Sequence, residues 1–313
     1  MTAYIAQRVL SSIPVILMVA ITTFSILHLA PGDAAGVIAG DQATAQEIER
    51  IKNSLGLDRP FVDQLGSWIA DVIRGDLGRS LFTGHRVTEL ITDRLEPTVS
   101  LTVLGLLLSV CLGVPLGVLA AWKANSWIDR SVMFFSVSGF SLPGFWLGSM
   151  LLIVFAVRLG WLPAIGFVSI FDDVPGFLRN ALLPAFTVST SGAAIVARMT
   201  RSNMLEVLSE DYIRTARAKG LREITVVGRH ALRPASLPVV TVVGLLLAGL
   251  LTGVVVVETV FTIPGLGRLA AEAVLRRDIP VIQGVILVIG TVVVIANLLT
   301  DIAYAYLDPR IRY

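Results

Sequence analysis

Six blocks of apolar sequence, each close to the length that crosses a lipid bilayer, constrain this chain more than any other feature. They lie at about residues 9–30, 98–122, 131–157, 182–199, 237–257 and 279–304. A helix needs about 20 residues to cross roughly 30 Å of hydrocarbon. Apolar residues make up 55% of the 313 residues and charged residues 15%, against roughly 45–50% and about 25% in a soluble domain. The sequence therefore predicts an all-α membrane protein with six transmembrane helices.

The placement of Lys and Arg predicts the orientation of these spans. With both termini inside, the inner segments hold thirteen of these residues and the two short outer loops hold five. Cytoplasmic loops carry the excess of positive charge in membrane proteins, so both termini are expected in the cytoplasm, with lipid around the spans. The net charge of +2, without a long basic run, argues against a nucleic-acid partner.

The chain divides into four predicted segments: an N-terminal tail with the first span (1–30), an outer segment (31–96), five further spans (97–305) and a cytoplasmic tail (306–313). In the outer segment, Leu65, Trp68, Ile69 and Val72 recur at helical spacing before a turn at 75–78, which predicts short helices that cap the outer ends of the spans. In the third span, Leu142-Pro143-Gly144 predicts a bend or a break.

Residue patterns typical of catalysis are missing from the sequence. None of the three lysines follows a glycine in a phosphate-binding loop, and the three histidines fall in different segments without metal-ligand spacing. Glu258 and Asp301, near the ends of the last two spans, are interpreted as paired or interfacial carboxyl groups rather than ion-coupling groups. We therefore expect no catalytic, cofactor or metal site on this chain, and energy for any transport would come from another subunit.

Small and polar residues inside the spans have two interpretations. Three GxxxG pairs begin at Gly113, Gly144 and Gly249 and predict close helix packing. Five hydroxyl residues either line a wet path through the membrane or bond their own backbone or a neighbouring helix, and the sequence does not favour one alternative. These candidate path residues are Ser138, Ser141, Ser189, Thr190 and Ser191.

The inner loop at residues 206–236 predicts a short separate helix. Ser209 is the predicted N-cap, Glu210 and Asp211 suit the positive end of the helix, and Gly220 supplies a left-handed stop. Tyr212 and Ala216 are predicted to share an apolar face with Leu208, while the arginines project elsewhere. Such a helix either docks into the groove of a partner or lies on the inner leaflet.

At this loop the sequence resembles the membrane subunits of ABC importers, in the dipeptide/oligopeptide/nickel permease family. The loop of that family has Glu-Ala-Ala, three residues and Gly, whereas this chain has Arg214-Thr215-Ala216, three residues and Gly220. Similar motifs run along nearly the whole chain. They are Leu29-Ala30-Pro31-Gly32-Asp33, Gly75-Asp76-Leu77-Gly78-Arg79-Ser80, Phe145-Trp146-Leu147-Gly148, Leu159-Gly160-Trp161-Leu162-Pro163, Phe261-Thr262-Ile263-Pro264-Gly265-Leu266-Gly267 and Leu307-Asp308-Pro309-Arg310.

The resemblance implies a type I importer permease fold in a bacterial or archaeal plasma membrane, paired with a sister permease. It implies two cytoplasmic ATPase subunits that carry ATP and Mg, and a periplasmic or lipid-anchored binding protein that delivers peptides, or alternatively a nickel chelate or glutathione. The predicted coupling residues are Tyr212, Arg214, Thr215, Ala216, Arg217, Ala218, Lys219, Gly220 and Leu221. The predicted docking residues for the binding protein are Asp71, Asp76, Pro264 and Gly265. The rival hypotheses are an ion-coupled carrier or channel without ATPase subunits, and a structural scaffold.

Overall fold

The computed structural model describes residues 2–29, 44–46, 49 and 59–307. The turn predicted at Pro31, most of the first half of the outer segment, and the C-terminal tail from residue 308 lie outside these described residues. The described helices are α1 (Thr2–Leu29), α2 (Phe61–Ile73), α3 (Val87–Trp122), α4 (Trp127–Ser141), α5 (Gly144–Leu151, extended by a π-helical turn at Leu152–Arg158), α6 (Val174–Leu208), α7 (Asp211–Ala218), α8 (Glu223–Val260, with a π-helical turn at Val226–Ala231), α9 (Leu266–Arg276) and α10 (Ile279–Leu307).

Five of these helices, namely α1, α3, α6, α8 and α10, are long and apolar enough to cross a membrane. The helices α4 and α5, bent by 105° relative to each other at a short break, together are long and apolar enough to form a sixth span. The break falls at Leu142 and Pro143, which both have extended backbone angles, because a proline ring is incompatible with a continuing helix before it. The predicted membrane fold and the predicted break in the third span are therefore confirmed.

Two helices begin well before the apolar blocks that predicted them. The helix α3 begins at Val87 and α8 begins at Glu223, since hydropathy marks where a chain enters hydrocarbon and not where its helix begins. The segment boundary predicted at residue 96 consequently lies inside α3. The inner loop predicted at 206–236 consists mostly of helix: the end of α6, all of α7 and the start of α8.

The helix α6 lies at the centre of the bundle, with α3 packed along it. A Cβ atom added at Gly113 would lie 2.7 Å from Val196 Cβ, and one at Gly117 would lie 2.5 Å from the Ala197 carbonyl oxygen. Only glycine permits this approach of two backbones, so the packing predicted from the first GxxxG pair is confirmed.

The bundle has two ends. We call the end that holds α7, the start of α1 and the end of α10 the α7 end, and the opposite end, which holds α2 and α9, the cap end. At the cap end, the Phe24 ring of α1 lies 5.5 Å from the rings of Phe61 and Trp68. The buried Asp278 carboxylate, at the turn between α9 and α10, accepts hydrogen bonds from Ser80 Oγ at 2.5 Å and from the Leu81 N–H at 3.2 Å. The described part of the outer segment is thus fastened to the helix ends as a cap.

Candidate functional site

The helix α7 is held against the bundle by one narrow apolar face. Ile213 and Ala216 are buried, and they pack with Met204 of α6 and with Val226 and Val227 of α8. These residues are buried because α7 turns back across the last turn of α6 and the first turns of α8. The other residues of the helix are exposed, although the Tyr212 hydroxyl donates to the His230 carbonyl oxygen at 3.5 Å.

The ends of α7 are only partly as predicted. Glu210, not Ser209, occupies the N-cap position, and the Ser209 hydroxyl instead donates to the Glu206 carbonyl oxygen at 2.7 Å. Gly220 has φ of +76°, so the predicted left-handed stop is confirmed. The helix therefore ends at Ala218, and the left-handed Gly220 lies one residue after the Lys219 C-cap.

The predicted apolar face of α7 is wrong in one respect. Tyr212 is 46% exposed and does not share the buried face. Leu208 belongs to α6, and the two-residue break after it resets the helical phase, so spacing counted from Leu208 does not extend into α7. Burial raises the pKa of the Tyr212 hydroxyl, and the Glu210 carboxylate raises this pKa further.

The outward surface of α7 carries most of the predicted coupling residues. Exposed side chains there are Tyr212, Arg214, Thr215, Arg217, Ala218, Lys219 and Leu221. Ile224, just beyond them at the start of α8, is 70% exposed. The combination of exposed apolar side chains with basic ones is typical of a surface that contacts a protein partner.

A salt bridge fixes α7 relative to α8. Arg217 Nη2 and Nε donate to the two carboxylate oxygens of Glu223, at 2.7 Å and 3.2 Å. This two-bond contact raises the pKa of the Arg217 guanidinium. Arg217, predicted to face a partner, is therefore engaged within the chain, whereas Arg214 makes only a loose contact of 3.4 Å with Asp211.

At the cap end, a buried carboxyl group joins α3, α8 and α9. Glu258 is fully buried; it accepts a hydrogen bond from Thr98 Oγ1 at 2.6 Å and one from the Arg268 N–H at 3.0 Å. The same Thr98 oxygen accepts from the Leu266 N–H at 2.8 Å. Glu258 and Asp301 are both partnered, as the sequence predicted, since Asp301 forms an ion pair with Arg8 at 3.2 Å.

The predicted docking residues lie in different environments. Asp71 is exposed beside Arg74, and Asp76 accepts a hydrogen bond from the Gly78 N–H. Pro264 is exposed, whereas Gly265 is buried. A Cβ atom added to Gly265 would lie 2.1 Å from Glu258 Oε1. The absence of a side chain at Gly265 therefore leaves space for the Glu258 carboxyl group, and Gly265 has no side chain that could contact a partner.

Several predicted path residues bond their own helices. Ser141, Ser189 and Thr190 each donate to a carbonyl oxygen three or four residues earlier. Ser189 is fully buried, and its carbonyl oxygen accepts from Ser109 Oγ of α3. Ser138 and Ser191 are half-buried. Bonding to the helix backbone therefore explains three of the five hydroxyl groups.

Two features of the α7 end and the membrane core were not predicted from the sequence. Asp129 of α4 forms a two-bond salt bridge with Arg201 of α6; the signal was an acidic and a basic residue near the inner ends of two different spans. Gly249 and Gly253 of α8 have no atom of the chain within 4 Å of an added Cβ. This third GxxxG pair therefore packs on nothing within the part of the chain that the structure describes.

Residues 113–313 match the family of binding-protein-dependent transport system inner membrane components, and residues 1–102 match the N-terminal family of such membrane components. A probable peptide ABC transporter permease protein of Sinorhizobium fredii is 47% identical over 313 residues, 100% of both chains. The dipeptide transport system permease protein DppB of Alkalihalophilus pseudofirmus and the glutathione transport system permease protein GsiC of Escherichia coli are each 44% identical, over 100% of each chain.

A solved structure of the MetNI methionine ABC transporter, in an inward facing conformation, contains a chain of similar fold. The TM-score is 0.59 at 19% identity, and the similarity covers 70% of this chain and 96% of that chain. This similarity concerns the fold alone.

Proposed function

Because the chain belongs to the family of binding-protein-dependent transport system inner membrane components, we propose that it is the permease subunit of an ATP-driven importer of peptides or a related small solute. The observation that carries the proposal is the 47% identity, over the full length of both chains, to a probable peptide ABC transporter permease. An ion-coupled carrier or channel, the rival hypothesis, receives no support from these relatives. Relatives named for dipeptide and for glutathione define the range of candidate solutes.

The outward surface of α7 is the proposed contact with the ATPase subunits, which would hold ATP and Mg. Its support is physical: the buried face of α7 consists of Ile213 and Ala216, and the side chains of Arg214, Thr215 and Lys219 remain exposed for a partner. Closure of two ATPase subunits on nucleotide would displace α7, and the bundle would change between its inward- and outward-facing states. The α7 end is then cytoplasmic, together with both termini.

Crosslinking tests this contact directly. The tagged chain is purified from its host membrane with a cysteine in place of Lys219, at the exposed tip of α7, or in place of Asp172, in the loop at the cap end. We expect two ATPase subunits in the purified complex and crosslinks to them from position 219 but not from position 172. Absence of ATPase subunits from the complex would contradict the proposed function, and crosslinks from position 172 alone would contradict the placement.

A second permease is the proposed partner of the exposed face of α8. Gly249 and Gly253 lie on this face with Leu245, Thr252 and Val256, all of them exposed. Small residues without a neighbour in the chain allow the backbone of another helix to approach closely. The Thr252 hydroxyl is satisfied by the Ala248 carbonyl oxygen, so an apolar partner helix leaves no polar group of this residue unpaired.

A binding protein is the proposed partner of the cap end. Asp71 and Asp76 are exposed, and the outer segment carries eleven acidic and seven basic residues, which suits a polar and reversible contact. Reversing both charges should lower the stimulation of ATPase activity by the binding protein, and more so at low salt, where charges are less screened. Reversal of Asp172, on another exposed loop of the same end, is the control. An unchanged stimulation and salt dependence, with crosslinks from the binding protein only to the second permease, would exclude docking on this chain.

A further inference from the structure

A single carboxylate attaches the inner end of the broken span to the rest of the chain. Asp129, in the first turn of α4, has 3% of its surface exposed. Its two oxygens accept from Arg201 Nε at 2.5 Å and from Arg201 Nη2 at 2.7 Å, and Oδ2 also accepts from the Asn125 N–H at 3.0 Å. Asn125 has φ of +63°, so the turn before α4 adopts a left-handed conformation that directs its N–H to this carboxylate.

The helix α4 buries few of its side chains. Of its fifteen residues, all of them described, two are buried, Asp129 and Ser136. Large apolar side chains such as Phe134, Phe135 and Phe140 are exposed on its surface. Further along α4, Gly139 packs against Thr190 of α6, and the Phe140 ring lies 5.8 Å from the Arg198 guanidinium. At the inner end, the two-bond contact with Arg201 fixes where α4 lies.

Arg201 lies on the segment of α6 that carries α7. Met204, one helical turn further along α6, is fully buried and packs against Ile213 and Ala216 of α7. A helical turn rises about 5.4 Å and is stiff over that length. The α7 contact at Met204 and the α4 contact at Arg201 are therefore two points on one rigid piece of helix.

We propose that Asp129 and Arg201 are positioning residues that transmit the displacement of α7 to the broken span formed by α4 and α5. This inference rests on the proposed function, because it takes an ATPase subunit to be the source of the displacement. When α7 moves, Met204 and the end of α6 move with it, and the salt bridge carries α4 along. The 105° break at Pro143 then lets α4 move without the same movement of α5.

The test uses the assembled complex, purified through this chain and reconstituted in lipid. Spin labels at Phe135 of α4 and Leu107 of α3, both exposed, report the distance between the helices with and without trapping of ATP by vanadate. The double variant Asp129→Asn and Arg201→Met removes both charges and keeps an acceptor for the Asn125 N–H, so that no buried charge remains unpaired. The control, Arg8→Met with Asp301→Asn, removes the other ion pair between spans at the same end.

In the unaltered complex and in the control we expect ATP trapping to change the distance between the two labels. In the double variant the ATPase activity should persist while this change falls below half of its ordinary size. A full change in the double variant, an equal loss in the control, or no change in the unaltered complex overturns the proposal. If the double variant does not assemble, Arg201→Lys is measured instead, because lysine keeps the positive charge but cannot make the planar two-bond contact. A full change in the distance between the labels in Arg201→Lys overturns the proposal. Absence of ATPase subunits from the unaltered complex would instead contradict the proposed function.

Discussion

Replacing Thr98 by Val should destabilise the cap end far more than the small change in side-chain structure suggests. The Thr98 hydroxyl donates to Glu258 Oε1 at 2.6 Å and accepts from the Leu266 N–H at 2.8 Å. Val keeps the shape of the side chain but makes neither bond. Losing the bond to the carboxyl group costs about 1–3 kcal/mol, and leaving the buried Leu266 N–H unpaired costs about 1–3 kcal/mol. The free energy of unfolding should therefore fall by about 2–5 kcal/mol, since such losses are not fully additive.

The chain contains a matched control one helical turn away. Thr102 is as buried as Thr98, but its hydroxyl donates only to the Thr98 carbonyl oxygen of the same helix, at 2.7 Å. Because Thr and Val have similar helix propensities, Thr102→Val should cost less than about 1 kcal/mol. The difference between the two variants then isolates the bonds between helices.

Both variants would be measured by unfolding the purified chain in mixed micelles with increasing sodium dodecyl sulfate, followed by tryptophan fluorescence. We expect the Thr98→Val midpoint to lie clearly below that of Thr102→Val. Equal midpoints would refute the reasoning, because they would mean that the Glu258 carboxyl group holds α9 without the hydroxyl. Gly265→Ala is an independent check, since its Cβ atom would lie 2.1 Å from Glu258 Oε1 and should displace the same carboxyl group.

Three further predictions concern the backbone, the orientation and the partner surface. Gly220→Val should strain the left-handed stop of α7 by roughly 1–2 kcal/mol and uncouple ATP hydrolysis from uptake. Gly228 is equally free of neighbours but has no positive φ, so Gly228→Val should leave hydrolysis coupled to uptake. Equal uptake by the two variants would contradict this prediction. A cysteine at Asp172 should react with an impermeant maleimide in intact cells, and one at Glu206 only after permeabilisation; the reverse pattern would overturn the orientation. Gly249→Leu should reduce the amount of second permease that co-purifies, and an unchanged amount would remove α8 from that interface.

Features that depend on local sequence were predicted correctly. The spans follow from the length of apolar runs, the break follows from Pro143, and the end of α7 follows from Gly220, because each of these is decided within a few residues. The limits of α3 and α8 were predicted less well. The charged residues between Val87 and Pro97 were assigned to the outer segment and not to the second span, yet a helix that has left the bilayer continues as long as its backbone bonds and its packing on α9 and α10 favour it.

Features that depend on how helices are rotated were not predicted. Asp129 and Arg201 are 72 residues apart, and Thr98 and Glu258 are 160 apart. Each pair forms only if both helices present the right face at the same depth. The error over Tyr212 has the same origin, since the buried face of α7 is decided by the break between α6 and α7, which counting at helical spacing ignores.

The polar contacts and the glycines fix the positions of the helices in different ways. In a bilayer the hydrophobic effect does not drive one apolar helix towards another, so specific contacts must decide how the helices register. Along the contact between α3 and α6, Gly113 and Gly117 fix the distance between the two helices, but small residues permit sliding and rotation. At the ends, Glu258 and the Asp129–Arg201 salt bridge accept only one arrangement, because each leaves a buried polar group unpaired if the helices shift. A bundle whose helices pack closely along their length and are joined by polar contacts at their ends can therefore move as stiff units whose polar connections lie at the two membrane surfaces. Those surfaces are also where the proposed ATPase subunits and binding protein act.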